Sequence, residues 1–276
     1  MADTTKLDKK RKRDDADKHS QAATSGNKKQ RSFDDRKNNK GKKFDKKRKE
    51  EGKAKQPSEA PKKQEREEAF DESIGKMDGQ LLADHFMQKA RRHNKDLTAV
   101  ELSDMSVPVH AFLDTTSFHN SRTLAQLPEF LKAFDPNKGA ALGEASEEKG
   151  SPHTLVVAAA GLRAADLVRA LRSLQSKEAT VAKLFAKHIK IDEAKQFLER
   201  ARVNIGVGTP QRIIDLLEAG SLKTQELKRI VIDGSHIDQK KRGVFDMKEM
   251  FFPLLKLLTR AEFRDRYDKD LKVVIY

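Results

Sequence analysis

Side chains able to do covalent or metal chemistry are sparse in this sequence. It contains no cysteine and eight scattered histidines, so neither a thiolate metal site, a disulfide framework nor a nucleophile–base pair is spelled out by spacing. The most suggestive group is Asp233, which ends the apolar run Arg229-Ile230-Val231-Ile232-Asp233 and precedes Gly234-Ser235-His236. A carboxylate at the carboxyl tip of a strand lies on the edge where open α/β sheets bind ligands. The favoured reading of Asp233 is nevertheless a structural strand-end cap, because one nearby imidazole without a phosphate cradle does not make a catalytic site. The second group is Gly208-Thr209-Pro210-Gln211-Arg212, where a helix N-terminus with free amides beside an arginine could receive a phosphate. The competing reading has Gly208 and Pro210 shaping the turn while Arg212 pairs with an acidic neighbour. No phosphate-binding loop of the form Gly-x-x-x-x-Gly-Lys-Ser/Thr is present. The nearest stretch, Asn137 to Ser146, carries Glu144 where the lysine should stand.

These residues must be placed by a regular alternation of elements. Val203–Val207 is a short apolar run bounded by Gly208 and Pro210, as expected of a buried parallel strand ending in a loop. Pro210 suits the first turn of a helix, Thr209 its N-cap through its hydroxyl, and Gly220 its stop. The same pattern predicts strands over Thr154–Ala159, Thr180–Phe185, Arg229–Asp233 and Leu271–Tyr276. Helices are predicted over Arg163–Leu174, Asp192–Ala201, Pro210–Ala219 and Met247–Leu258. Such alternation implies an α/β fold, with a parallel sheet covered by helices on both faces. Upstream, Gln80–His93 reads as an amphipathic helix and Leu124–Phe134 as a helix with Leu127, Phe130, Leu131 and Phe134 on its core face. Val107–Leu113 reads as an edge or first strand, with Pro108 excluding a central position. Asp135–Pro152 reads as a polar loop.

Residues 1–70 differ in kind. They hold about 24 Lys and Arg against about 14 Asp and Glu, which accounts for most of the chain's net charge of +14. Nearly free of aliphatic residues, this segment cannot bury enough apolar surface to offset its chain entropy, so a disordered basic tail is expected. Its clusters Lys9–Arg13 and Lys46–Lys49 fit a nuclear-import address or a phosphate-binding patch. The charge balance points to an acidic partner, nucleic acid being the commonest. No apolar run reaches the roughly 18 residues of a membrane span, and no secretory leader is expected.

Gly-Thr-Pro-Gln-Arg at 208–212, followed by Val-Ile-Asp-Gly-Ser-His at 231–236, resembles the Thr-Pro-Gly-Arg and Walker B motifs of the first RecA-like domain of DEAD-box RNA helicases. Leu155 to Leu167 resembles the helicase strand that ends in Pro-Thr-Arg-Glu-Leu. Together with Val181–Lys190, these motifs are similar to those of the Cms family of helicase-like small-subunit ribosome assembly factors, over roughly residues 75–276. The resemblance implies a single RecA-like domain over 71–276, a nuclear and nucleolar location, and association with pre-ribosomal RNA and other assembly factors of the 90S pre-ribosome. It also implies a factor that is monomeric within a large complex. Carried over by position, the RNA-facing candidates are Gly161, Arg163, Lys187, His188, Lys190, Gly208, Thr209, Pro210 and Arg212. Asp233 stands as a degenerate Walker B, with Gly234 where the family's catalytic glutamate would be. Without the phosphate loop, that glutamate or a second RecA domain, the resemblance implies a pseudo-helicase with no cofactor, no metal and no catalysis. Two other readings compete: a divergent ATPase completed by a partner, and a protein-only scaffold for a separate helicase. Phe185 is expected in the core, and Asp238–Arg242 forms a basic loop of second rank.

Overall fold

The computed structural model describes residues 69–276. The expected tail and its two lysine-rich clusters lie outside the described residues, except for its last two positions, which form a strand. In chain order the elements are β1 (Ala69–Phe70), α1 (Gly79–His93), α2 (Ala99–Asp104), α3 (Leu127–Ala133), β2 (Thr154–Val157), α4 (Gly161–Leu171), β3 (Thr180–Leu184), α5 (Ile191–Arg200), β4 (Val203–Gly208), α6 (Pro210–Glu218), β5 (Arg229–Ile232), β6 (His236–Ile237), α7 (Lys248–Leu258), α8 (Ala261–Arg264) and β7 (Lys272–Ile275). Five strands form one parallel sheet in the order β3-β4-β2-β5-β7. The short strands β1 and β6 pair antiparallel beside it.

The strands consist largely of buried aliphatic residues because both faces of the sheet are covered. Leu155, Val157, Ile230, Ile232, Val273 and Ile275 point into a core shared with α1, α5, α6 and α7. Val156, Val231, Val274 and Tyr276 point the other way, into a core made with α3 and α4. Helix boundaries follow local chemistry. Asp78 caps α1 by accepting from the Leu81 amide at 2.9 Å, and Leu82, Phe86 and Ala90 then recur at intervals of four on its buried face. Thr98 and Glu101 form a capping box on α2.

Three expectations need correction. Val107–Leu113 does not form a strand: a 3-10 turn occupies Val109–Ala111, and only Phe112 bridges to Val273. The Leu113 amide donates to the Val273 carbonyl at 2.8 Å, so the segment grazes the β7 edge without a ladder. The helix expected over Leu124–Phe134 is split into a 3-10 turn (Leu124–Gln126) and α3, with Pro128 in the first turn of α3 where its missing N–H costs little. Asp135–Pro152 contains a 3-10 turn at Ala140–Gly143. It packs over the amino ends of the central strands, where Asn204 Nδ2 donates to the Leu142 and Leu174 carbonyls, both at 2.8 Å.

At that same end His153 sits with one ring nitrogen 2.7 Å from Thr154 Oγ1 and the other 3.3 Å from the Leu142 carbonyl. Burial, and then the nearby Arg229 guanidinium, push this imidazole down from 6.5 to about 4. The unfolded chain takes up the proton near pH 6.5, while the folded protein resists it until about pH 4. Stability is therefore lost as pH falls through that window and levels off below it. His153→Gln is expected to flatten the dependence of the urea midpoint on pH between those two values, measured against the parent protein; an undiminished slope would assign the loss to other groups.

Candidate functional site

Two adjacent strands, β2 and β5, send their connections in opposite directions: β2 runs through α4 to β3 on one side, and β5 through α7 to β7 on the other. The carboxyl ends of these strands therefore flank the switch point where open α/β sheets hold ligands. Here the crevice is filled by the protein itself. Arg163, in the first turn of α4, donates from Nε to Asp233 Oδ2 at 2.8 Å and from Nη2 to Oδ1 at 3.2 Å. The two side chains are 5% and 1% exposed. A bidentate guanidinium–carboxylate pair is the geometry that best offsets burial of both charges. The Asp233 amide is bound by the Val157 carbonyl at 2.9 Å, which carries the β2–β5 pairing one residue past the strand.

The residues after Asp233 close the crevice further. Gly234 is buried, and a Cβ there would lie 2.8 Å from Ile275 Cγ2 and 3.1 Å from the Phe245 ring. A side chain as long as glutamate has no room at this position without displacing β7. The amides of Gly234 and Ser235 and the Ser235 hydroxyl all donate to the Tyr276 carbonyl, at 2.8, 2.8 and 3.0 Å. Among the described residues no cluster of three or more His, Cys, Asp or Glu could hold a metal ion.

The structure separates the sequence candidates into two sets. Arg163 is corrected: it is buried and committed to Asp233, so it does not face RNA. Gly208 is likewise buried, and a Cβ on it would fall 2.1 Å from the Leu184 carbonyl, so its glycine serves the close approach of β3 and β4. Pro210 is buried in the first turn of α6. Thr209 occupies the N-cap in an extended conformation, but its hydroxyl makes no capping bond, against expectation. Its backbone amide donates to the Leu184 carbonyl at 3.3 Å.

The second set does come together at the carboxyl edge. Lys187, His188 and Lys190 are exposed on the turn after β3. His188 adopts φ 61°, a left-handed conformation uncommon for a residue with a Cβ. Arg212, half-buried on α6, donates from Nη1 to the Ile189 carbonyl at 3.1 Å. It therefore braces the turn instead of pairing with an acidic neighbour. Gly161 opens α4 against this turn: a Cβ there would meet Lys187 Cβ at 3.2 Å. Neither α4 nor α6 has a side-chain cap, so first-turn amides of both helices lie at this edge beside the basic turn. Phe185 is buried in the core, as expected.

Sequence reasoning missed the partner of Asp233. Arg163 lies 70 positions away, and the only signal was that each residue follows the carboxyl end of a strand. It also missed the order within Asp238–Arg242, where Asp238 accepts from the Lys240 and Arg242 amides at 2.8 and 2.9 Å and pairs with the Arg242 guanidinium at 3.0 Å.

A family model described as "CMS1: U3-containing 90S pre-ribosomal complex subunit" matches residues 4–276. Protein CMS1 of Chaetomium thermophilum is 53% identical over 206 residues, covering 75% of this chain and 82% of that protein. Protein cms1 of Schizosaccharomyces pombe is 30% identical, over 66% of this chain and 64% of its own length. Human protein CMSS1 is 34% identical, over 58% and 54%. Among solved structures, a DEAD box protein from Methanococcus jannaschii is similar with a TM-score of 0.35 and 16% identity over 56% of this chain and 37% of that one. The Saccharomyces cerevisiae Dbp5 chain in a complex with Nup159, Gle1, IP6 and ADP gives a TM-score of 0.39 and 13% identity over 70% and 45%.

Removing Arg163 alone would leave a buried carboxylate without its partner, a change that costs about 3–5 kcal/mol. Arg163→Ala is therefore expected to lower the urea midpoint sharply, and the double variant Arg163→Met/Asp233→Leu to recover much of that loss. Equal losses in the single and double variants would show that the pair is not what closes the crevice.

Proposed function

The chain belongs to the CMS1 family, whose model describes a 90S pre-ribosomal complex subunit, and from that premise we propose a non-catalytic, helicase-like role in small-subunit assembly. In this reading the protein acts in the nucleolus as a single copy within the particle and binds pre-ribosomal RNA. Residues 1–70 serve as a basic tail and 71–276 as one docking domain. The observation that carries the non-catalytic part is the Arg163–Asp233 pair: the crevice where a nucleotide would lie is occupied by two buried side chains bonded to each other. The carboxylate that resembles a Walker B is thereby withdrawn from any metal, and position 234 has no space for a catalytic glutamate. No step of ATP hydrolysis is left for these residues to perform.

RNA binding is supported by charge and by geometry. The tail attracts phosphates through counterion release, independent of sequence. The carboxyl edge then offers Lys187, His188 and Lys190 on a turn that Arg212 holds rigid, beside the uncapped amides of α4 and α6. These are positioning contacts to the sugar–phosphate backbone and specify no base. Because the edge is preformed, it loses little conformational entropy on binding; the tail supplies range and rate.

Salt dependence separates the two parts. For single-stranded RNA the logarithm of the binding constant falls against the logarithm of salt with a slope of about −0.7 per phosphate neutralised. Deleting residues 1–68 is expected to flatten that slope strongly in filter binding. The double variant Lys187→Ala/Lys190→Ala in the tail-deleted protein should reduce the remaining slope by roughly 1.4. An unchanged slope on deletion removes the tail from the mechanism, and an unchanged slope in the double variant removes the edge.

A further inference from the structure

The largest cavity in the described protein lies at the opposite edge of the sheet from the basic turn. It measures about 440 Å³, within the range of about 300–1,000 Å³ typical of ligand pockets. Its apolar wall is made by Leu113, Phe130, Leu131 and Phe134 with Val274 of β7. Leu113 and Phe134 are only half-buried. Facing this wall are Asp135, His153 and Arg229 from the amino ends of the central strands and the loop above them.

Arg229 sets the chemistry. The residue is 8% exposed. Its Nη2 donates to Asp135 Oδ1 at 2.5 Å, and Asp135 Oδ2 accepts the amides of Asn137 and Gly139 at 3.2 and 3.0 Å. The charge of Arg229 is thus already balanced, yet its Nη1 has no hydrogen-bond partner among the described residues. A buried donor without an acceptor is costly. The wall therefore calls for an acceptor oxygen, and a neutral one, since a second anion would meet the Asp135 carboxylate.

The rim adds selectivity. Glu144 and Glu226 are exposed beside Lys228, while Asp270 is tied to Arg266 at 2.7 Å and Lys272 Nζ to the His110 and Tyr267 carbonyls at 2.8 and 2.7 Å. Two free carboxylates against one free ammonium repel a polyanion, so this end of the domain does not suit RNA. An apolar side chain flanked by a peptide carbonyl satisfies every feature: the ring or branched chain against Phe130, Phe134 and Leu113, and the carbonyl oxygen toward Arg229.

We propose that this cavity is a protein-docking site that takes one apolar side chain of a partner together with the neighbouring backbone carbonyl. The domain would then engage protein at the amino edge of its sheet, independently of any RNA at the carboxyl edge. His153, neutral above about pH 4, keeps the wall free of an added positive charge under ordinary conditions.

The test titrates the 15N-labelled full chain with N-acetyl-phenylalanine amide and, separately, with its carboxylate counterpart N-acetyl-phenylalanine. Saturable amide shifts are expected at Leu113, Ala141, Ala145 and Val274, in the millimolar range of a single anchoring group, with the amide at least fivefold tighter than the carboxylate. Ala141→Trp, and independently Ala145→Trp, should fill the cavity and abolish the shifts; whichever variant keeps the parent fold by its own spectrum suffices. Absence of saturable shifts, a preference for the carboxylate, shifts that survive in a well-folded filled variant, or displacement of the amide by oligouridylate would each overturn the proposal. None of these outcomes depends on whether the Lys187–Lys190 turn binds RNA.

Discussion

A buried ion pair at the switch point is the constraint to which the rest of this domain is fitted. Taking an arginine and an aspartate out of water costs several kcal/mol for each ion, and their attraction offsets this only if the geometry is close to ideal. Arg163 and Asp233 meet that demand with two parallel N–H···O bonds. The requirement propagates outward. Asp233 must leave β5 in register with β2, which the Val157 carbonyl enforces. Arg163 must sit in the first turn of α4, which fixes where that helix begins. The Gly234–Ser235 turn must fold tightly onto the Tyr276 carbonyl, which joins β7 to the same corner.

Close approach of backbone is the means by which this is done. Gly208 lets β4 pass within contact of the Leu184 carbonyl, and Gly234 lets the chain turn beneath Ile275 and Phe245. In each case the missing Cβ serves packing between strands and not the approach of a phosphate. The residue type is the same one a nucleotide site would use, and the physical reason is different. Arg122 plays a related part at the neighbouring corner: it is buried, donates to the Gly75 and Thr115 carbonyls at 3.1 and 3.2 Å and also to Ile275, and lies over the Phe130 ring. It ties the segment before α1 to the end of β7 without a carboxylate.

The layers of this fold were legible from periodicity because buried parallel strands are read directly as short aliphatic runs. Arg229–Ile232 and Val203–Gly208 sit where those runs and their bounding Gly and Pro residues put them, and Gly220 has the φ of +69° expected of a helix stop. Val107–Leu113 was misread because an apolar run with Pro108 satisfies a 3-10 turn and a single bridge as well as it does a strand. The site was legible only in part. Lys187, His188 and Lys190 fall on one exposed turn, where local sequence suffices. Arg163 and Asp233 lie on different strands' ends, and only the three-dimensional order β3-β4-β2-β5-β7 brings them into contact. Position alone made Arg163 an RNA contact; burial makes it a counter-ion.

A closed crevice changes what a parallel sheet is good for. In a nucleotide-dependent domain the carboxyl edge must open and shut around its ligand, and the elements there have to be loosely held. Here the bonds of Asp233, Ser235 and Arg212 hold that edge in one state, so no differential affinity between two conformations exists for a nucleotide to exploit. What remains is a rigid plate with two chemically distinct rims: lysines and free helix amides at one, an apolar hollow with carboxylates and a balanced arginine at the other. Rigid elements hold side chains in a binding geometry at little entropic cost. A domain built this way is suited to keeping two different partners at a fixed separation, about the length of a four- to six-residue strand, or roughly 13–20 Å. That is a structural service to a large assembly, and it requires no turnover.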